Sequence, residues 1–175
     1  MMTADALRGA GPDAGGRSAV GAPSGIRDYF AGSWSYLRLL HDRRRETNGS
    51  ILGCCVFAAA GRDLFYHESG AMDFAGVRGT AHRSFRYSFP EASRAEVFFA
   101  DGRPFHSMDL TAGESCFNHS CPPDVYEGSC RLISPETWQL RWRVTGPKKD
   151  LLLETSYQRF ADPLGCFQAI PASAY

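Results

Sequence analysis

The sequence predicts an all-β fold: a single antiparallel up-and-down barrel of about ten strands, preceded by one short helix. Two observations carry that prediction. Apolar and polar residues alternate with a period of two along almost the whole chain beyond residue 25, and Gly, Pro, Asn or Asp interrupts the alternation at short intervals. So many short antiparallel strands expose two unpaired sheet edges unless the sheet closes on itself, and a barrel hides both. A two-sheet sandwich would satisfy the same alternation.

The elements follow in order. Residues 26–31 read as the helix. Strands are expected over 34–41, 50–60, 63–70, 79–89, 95–100, 105–110, 114–121 and 124–133, and over a closing pair, 138–144 and 151–158. That last pair gives the clearest signal. Trp138, Leu140, Trp142 and Val144 alternate with Arg141 and Arg143, and Gly146-Pro-Lys-Lys149 supplies the turn. A period-two strand buries one set only, and two Trp offer far more apolar area than two Arg stems, so the Trp face is expected inside.

A chain of 175 residues favours one domain. Residues 1–25 hold six Gly, six Ala and two Pro, with Leu7 and Val20 as their only branched apolar residues, and read as a disordered tail ahead of a barrel domain at 26–175. The charge is balanced, with 19 Lys and Arg against 19 Asp and Glu, which argues against nucleic acid as a partner. The longest apolar run, residues 54–60, is far too short to span a bilayer, so no membrane insertion is expected. Six cysteines without a secretory leader read as reduced thiols, most of them small buried hydrophobes, in a cytoplasmic protein. A homodimer is compatible with all of this.

Several stretches resemble a known family. Phe30-Ala-Gly32-Ser-Trp34 resembles the opening of lipocalin-like (calycin) barrels, in which the Trp closes one end. Ala100-Asp-Gly-Arg-Pro-Phe-His106, His119-Ser-Cys121-Pro-Pro-Asp124-Val-Tyr126 and Trp142-Arg-Val-Thr-Gly146-Pro-Lys-Lys-Asp150 together are similar to an uncharacterised domain-of-unknown-function family with a lipocalin-like fold. The resemblance covers residues 32–159. It implies the barrel and no established activity. The Pro122-Pro123 pair departs from the flexible link expected there.

The candidate functional residues fall into two groups. His119 and Cys121 share a strand face with Phe117, while His106 begins the preceding strand and Asp124 and Tyr126 begin the following one, so all five are expected near one barrel end. Such a cluster has four readings: a metal site, a Cys121–His–Asp124 nucleophile, a ligand contact, or a hydrogen-bonded plug in which Asp124 accepts from His119. The second group is cationic. Arg83 alternates with Ala81, Phe85, Tyr87 and Phe89, and Arg38 with Trp34, Tyr36 and Leu40; an inward Arg needs an anion, supplied by a ligand or by an internal Asp or Glu. Arg103 and the Lys148-Lys149 pair stand at turns, where they are solvated or steer an anion. The expected ligand-binding set is therefore Arg83, Arg103, His106, His119, Cys121, Asp124 and Tyr126, holding a small, partly apolar, anionic molecule without cofactor or resident metal. An enzyme working on a small molecule and a filled barrel serving as a protein-interaction module are the other two functions these residue types allow.

Overall fold

The structure, a computed structural model, describes residues 25–160. A one-turn helix, α1 (Ile26–Phe30), leads into ten strands: β1 (Gly32–Asp42), β2 (Thr47–Ala60), β3 (Asp63–Phe74), β4 (Val77–Glu91), β5 (Arg94–Phe99), β6 (Pro104–Asp109), β7 (Glu114–Cys121), β8 (Asp124–Ser134), β9 (Thr137–Gly146) and β10 (Lys149–Phe160). All ten expected strands are present, most of them a few residues longer than the alternation alone marks. The expected tail falls outside the described residues except for Gly25.

The strands form one sheet in the order β6-β5-β4-β3-β2-β1-β10-β9-β8-β7. β1 pairs with both β2 and β10, so the first and last strands meet and roll the sheet into a nearly closed antiparallel barrel. The sandwich alternative is thereby excluded. Because each strand reverses the last, the odd hairpin turns gather at one end and the even ones at the other. We call the end that carries α1 closed and the opposite one open.

The closed end is packed with rings. Phe30 and Trp34 are both fully buried, and Trp138 is nearly so. Phe30 meets Trp138 edge-on at 5.1 Å and stacks on Phe57 at 5.5 Å. The Trp34 indole N–H donates to the Phe30 carbonyl at 2.8 Å, which ties α1 to β1. From outside, the Arg159 guanidinium covers the Trp34 ring at 4.1 Å and donates to the Ala31 carbonyl at 3.0 Å. The register on β9 is the expected one, with Trp138, Leu140, Trp142 and Val144 buried and Arg141 and Arg143 exposed.

The cysteines depart from expectation. Cys55 and Cys130 are free and buried, but Cys116 and Cys121 are free and exposed, and Cys54 is disulfide-bonded. Among the described residues no helix is long and apolar enough to cross a membrane.

Candidate functional site

Halfway up the barrel the ring packing gives way to charge. Arg38 lies on the inward face of β1 because it keeps phase with Trp34 and Tyr36, and Glu68 lies inward on β3 in phase with Leu64 and Tyr66. They meet in a two-pronged ion pair, Arg38 Nη1 and Nη2 donating to Glu68 Oε1 and Oε2 at 2.6 and 2.8 Å. Both side chains are almost wholly buried. Arg38 Nε donates to Thr155 Oγ1 at 2.9 Å, and the Tyr66 hydroxyl donates to Glu68. Burial alone would raise the Glu68 carboxyl, but the Arg38 hydrogen bonds and the charges of Arg83 and Arg38 hold it down to about 2. The inward Arg38 has thus found an internal acid.

Arg83 stands differently. It donates from Nη2 to the same Glu68 carboxylate at 3.2 Å, and its guanidinium lies 5.2 Å from the centre of the Phe85 ring. Two guanidinium groups therefore share one carboxylate, while the other buried acid in phase with Arg38, Asp42, is taken up by Arg45 and the backbone of its own turn. The Arg83 Nε is buried with no partner among the described residues, and so is the Tyr36 hydroxyl, which reaches past Gly70. A Cβ at Gly70 would come within 2.6 Å of that hydroxyl, so only glycine leaves the space. The Arg83 side chain keeps 32% of its surface accessible, toward an open end where Leu40, Met72, Ala81, Leu153 and Tyr126 are only partly buried.

Beyond Phe85 the histidines gather around one ring. A bulge in the β5–β6 pairing leaves Phe105 without an opposite residue, so Phe105 and His106 are both partly buried rather than alternating. His106 and His119 each lie 4.8 Å from the Phe105 ring, edge to face. His119 Nδ1 donates to the Phe105 carbonyl at 2.8 Å, since a carbonyl can only accept. His106 stacks on Phe117 at 4.1 Å. The Phe117 ring in turn lies flat over Gly128, where any Cβ would collide with it. Burial, then the charges of His119 and Arg83, push His106 down to about 3, so its imidazole is neutral at physiological pH.

The structure thus brings together only part of the expected set. His106, His119 and Tyr126 cluster around Phe105 and Trp142, the Tyr126 ring lying 5.9 Å from that of His119, while Arg83 stands apart from them with the Phe85 and Phe105 rings between. Cys121 does not join them: it is exposed at the hairpin tip, paired with Asp124 across the Pro122-Pro123 turn, whose peptide bond is cis. Asp124 accepts from Lys149 Nζ at 2.6 Å, not from His119, because Lys149 emerges beside it from the neighbouring turn. Arg103 is exposed and closes on Asp101 of its own turn at 2.8 Å. The Cys121–His–Asp124 arrangement is therefore not assembled, and no three His, Cys, Asp or Glu converge as a metal-ligand set among the described residues. Sequence reasoning passed over Glu68 and Tyr36. Glu68 was detectable as the one acid in phase with Leu64 and Tyr66; the orphaned Tyr36 hydroxyl had no signal in one dimension.

Comparison with known proteins agrees with the architecture. No curated protein matches the chain. Among solved structures it is similar to an S-type phycobiliprotein lyase from Guillardia theta, with a TM-score of 0.59 at 9% identity over 78% of this chain and 92% of that one. It is also similar to a protein of unknown function from the DUF3598 family of Nostoc punctiforme, with a TM-score of 0.50 at 13% identity over 77% of this chain and 49% of that one. At such identities the likeness is one of fold, and the fold is that of lipocalin-like barrels. The DUF6314 family, described as a family of unknown function, matches residues 30–159, and the chain belongs to it.

Proposed function

We propose that this protein binds a small, partly apolar, anionic molecule at the open end of its barrel, with Arg83 as the anchor and His106, His119 and Tyr126 as polar groups beyond the Phe85 and Phe105 rings. One observation carries the reading: two buried or half-buried guanidinium groups share a single carboxylate, and a further donor, Arg83 Nε, is buried without a partner among the described residues. A guanidinium that shares its only carboxylate with a second arginine gains from a further anion. A ligand carboxylate, phosphate or sulfonate would supply that anion, and the partly buried Leu40, Met72, Ala81 and Leu153 would receive its apolar part. The fold supports the reading, since barrels of this size have room for one small ligand. Native mass spectrometry of the full chain tests it. The expected spectrum shows an added mass that denaturation releases and that Arg83→Met abolishes. A bare chain mass in both proteins contradicts the reading.

A further inference from the structure

The outer face of the barrel departs from the in-and-out alternation at one place. On β2 the inward set is Ile51, Gly53, Cys55 and Phe57, so Cys54 points outward; yet it is only 6% exposed, while Leu52 on the same face is 63% exposed. Its cross-strand neighbours are Ser35 and Ser69, too small to cover it. Ser69, outward on β3, is itself buried, and so is the outward Ser33 on β1, whereas the outward Leu37 and Leu39 are exposed. A cysteine and two serines are thus covered while leucines are left bare, the reverse of what hydropathy alone arranges. The described elements pack on their neighbours in the sheet, with α1 against β5, and none of them forms a second layer over β1–β3.

The cysteines point to what supplies the cover. Cys54 is disulfide-bonded, and Cys55, Cys116, Cys121 and Cys130 are free. Of the chain's six cysteines only Cys166 is left to pair with it. The distance suits that pairing. β10 ends at Phe160 opposite Ser33, and Ser33 stands opposite Val56, two residues from Cys54. At about 4.8 Å per strand and about 3.3 Å per residue, Cys54 lies about 12 Å from the end of β10. Residues 161–166 reach up to about 20 Å when extended. Pro163 and Gly165 among them suit the reversal of direction that the route requires. Ser33 lies on that route, which accounts for its burial.

We propose that residues 161–166 form a strap across the outer face of β1, fastened to β2 by a disulfide between Cys54 and Cys166. The strap joins β10, β1 and β2 where the first and last strands close the barrel, and it is independent of the anion site at the open end. Cys55 does not compete for the bond, because it points into the barrel, fully buried, and burial pushes its thiol up. Forming the bond takes two electrons and two protons from the two thiols. A low-molecular-weight disulfide accepts them by thiol–disulfide exchange and leaves as two thiols. Reduction releases the strap and bares Ser33, Cys54 and Ser69 beside Leu37 and Leu52.

Non-reducing peptide mapping of the full chain, equilibrated with oxidised glutathione, tests the strap. Trypsin cuts after Arg45, Arg62 and Arg159, so the expected product is peptide 46–62 joined to peptide 160–175. Cys54→Ser should abolish that product and Cys55→Ser should keep it. Cys116 and Cys121, exposed and free, are built-in competitors, since indiscriminate oxidation would take them first. Reduction with a phosphine should lower the melting temperature by about 10 °C in the wild type and by less than about 2 °C in Cys166→Ser. The wild-type map decides the matter even where a variant fails to fold. Cys166 recovered as a free thiol, joined to Cys116 or Cys121, or joined to a second chain overturns the strap. A joined pair whose reduction leaves the melting temperature unchanged overturns it too, because such a bond fastens nothing.

Discussion

The closed end and the open end of this barrel are built from the same alternation of residues and reach opposite results. At the closed end Phe30, Trp34, Phe57 and Trp138 are buried against one another, and the Trp34 N–H has the Phe30 carbonyl as its partner. At the open end two arginines divide one glutamate and several apolar side chains are left half exposed; among the described residues buried side-chain atoms without a partner occur in both regions, Trp138 Nε1 at the closed end and Arg83 Nε, the Tyr36 hydroxyl and His106 Nδ1 beyond it. The difference teaches where this chain gives stability and where it withholds it.

The comparison can be broken by mutations at each end. Trp138→Ala should have the largest effect on stability, about 3–5 kcal/mol by chemical denaturation, because it opens a cavity inside packed rings. It should leave binding of anilinonaphthalene sulfonate, an apolar fluorescent anion, at the open end unchanged. A loss of both would mean that the two ends are not separable.

Glu68→Ala should come next, costing about 3 kcal/mol, near the low end for breaking a buried ion pair because Arg83 can turn toward the mouth. Replacing the pair together, as in Arg38→Met with Glu68→Leu, should recover most of that loss. Equal losses in the single and double variants would show that the arginines do not need this acid.

Acid sensitivity should be smaller. An unfolded histidine takes its proton near pH 6.5, whereas folded His106 holds it off to about 3. Between those values the unfolded chain binds more protons, so stability is complete above about pH 6.5 and falls as the pH drops toward 3. Glu68 adds to the loss only lower down, as the pH falls from the ordinary carboxylate range toward about 2. Unfolding free energies measured between pH 7 and 4 should decline in the wild type, on the order of 1–2 kcal/mol once solvent access to the half-buried ring is allowed for. His106→Phe should flatten that slope. An unchanged slope would place the acid-sensitive group elsewhere.

These contrasts also mark how far the sequence could be read. Alternation exposed all ten strands, and the inward set on β9 followed from Trp138, Leu140, Trp142 and Val144 alone. Period-two phase placed Arg38 and Arg83 on the inner face as well. It could not say that Arg38 meets Glu68, because β1 and β3 are not neighbours in the sheet and only side chains long enough to reach over β2 join them. Cys121 and Asp124 were misjudged for a local reason: phase says which face a residue occupies but not where the strand ends, and these two sit at the last pair of the hairpin. The Phe105 bulge, which brings both His106 and Phe105 against the core, has no alternation signature at all.

The account turns on Arg83, and an equilibrium titration with anilinonaphthalene sulfonate comparing the full chain with Arg83→Met tests it most directly. The substitution keeps an unbranched apolar stem and removes the guanidinium that shares Glu68 with Arg38, so stability should change by no more than about 1 kcal/mol. The account predicts that affinity for the probe falls by about tenfold or more, equivalent to about 1.4 kcal/mol. An Arg83→Met protein that folds like the wild type and binds the probe with undiminished affinity would contradict it.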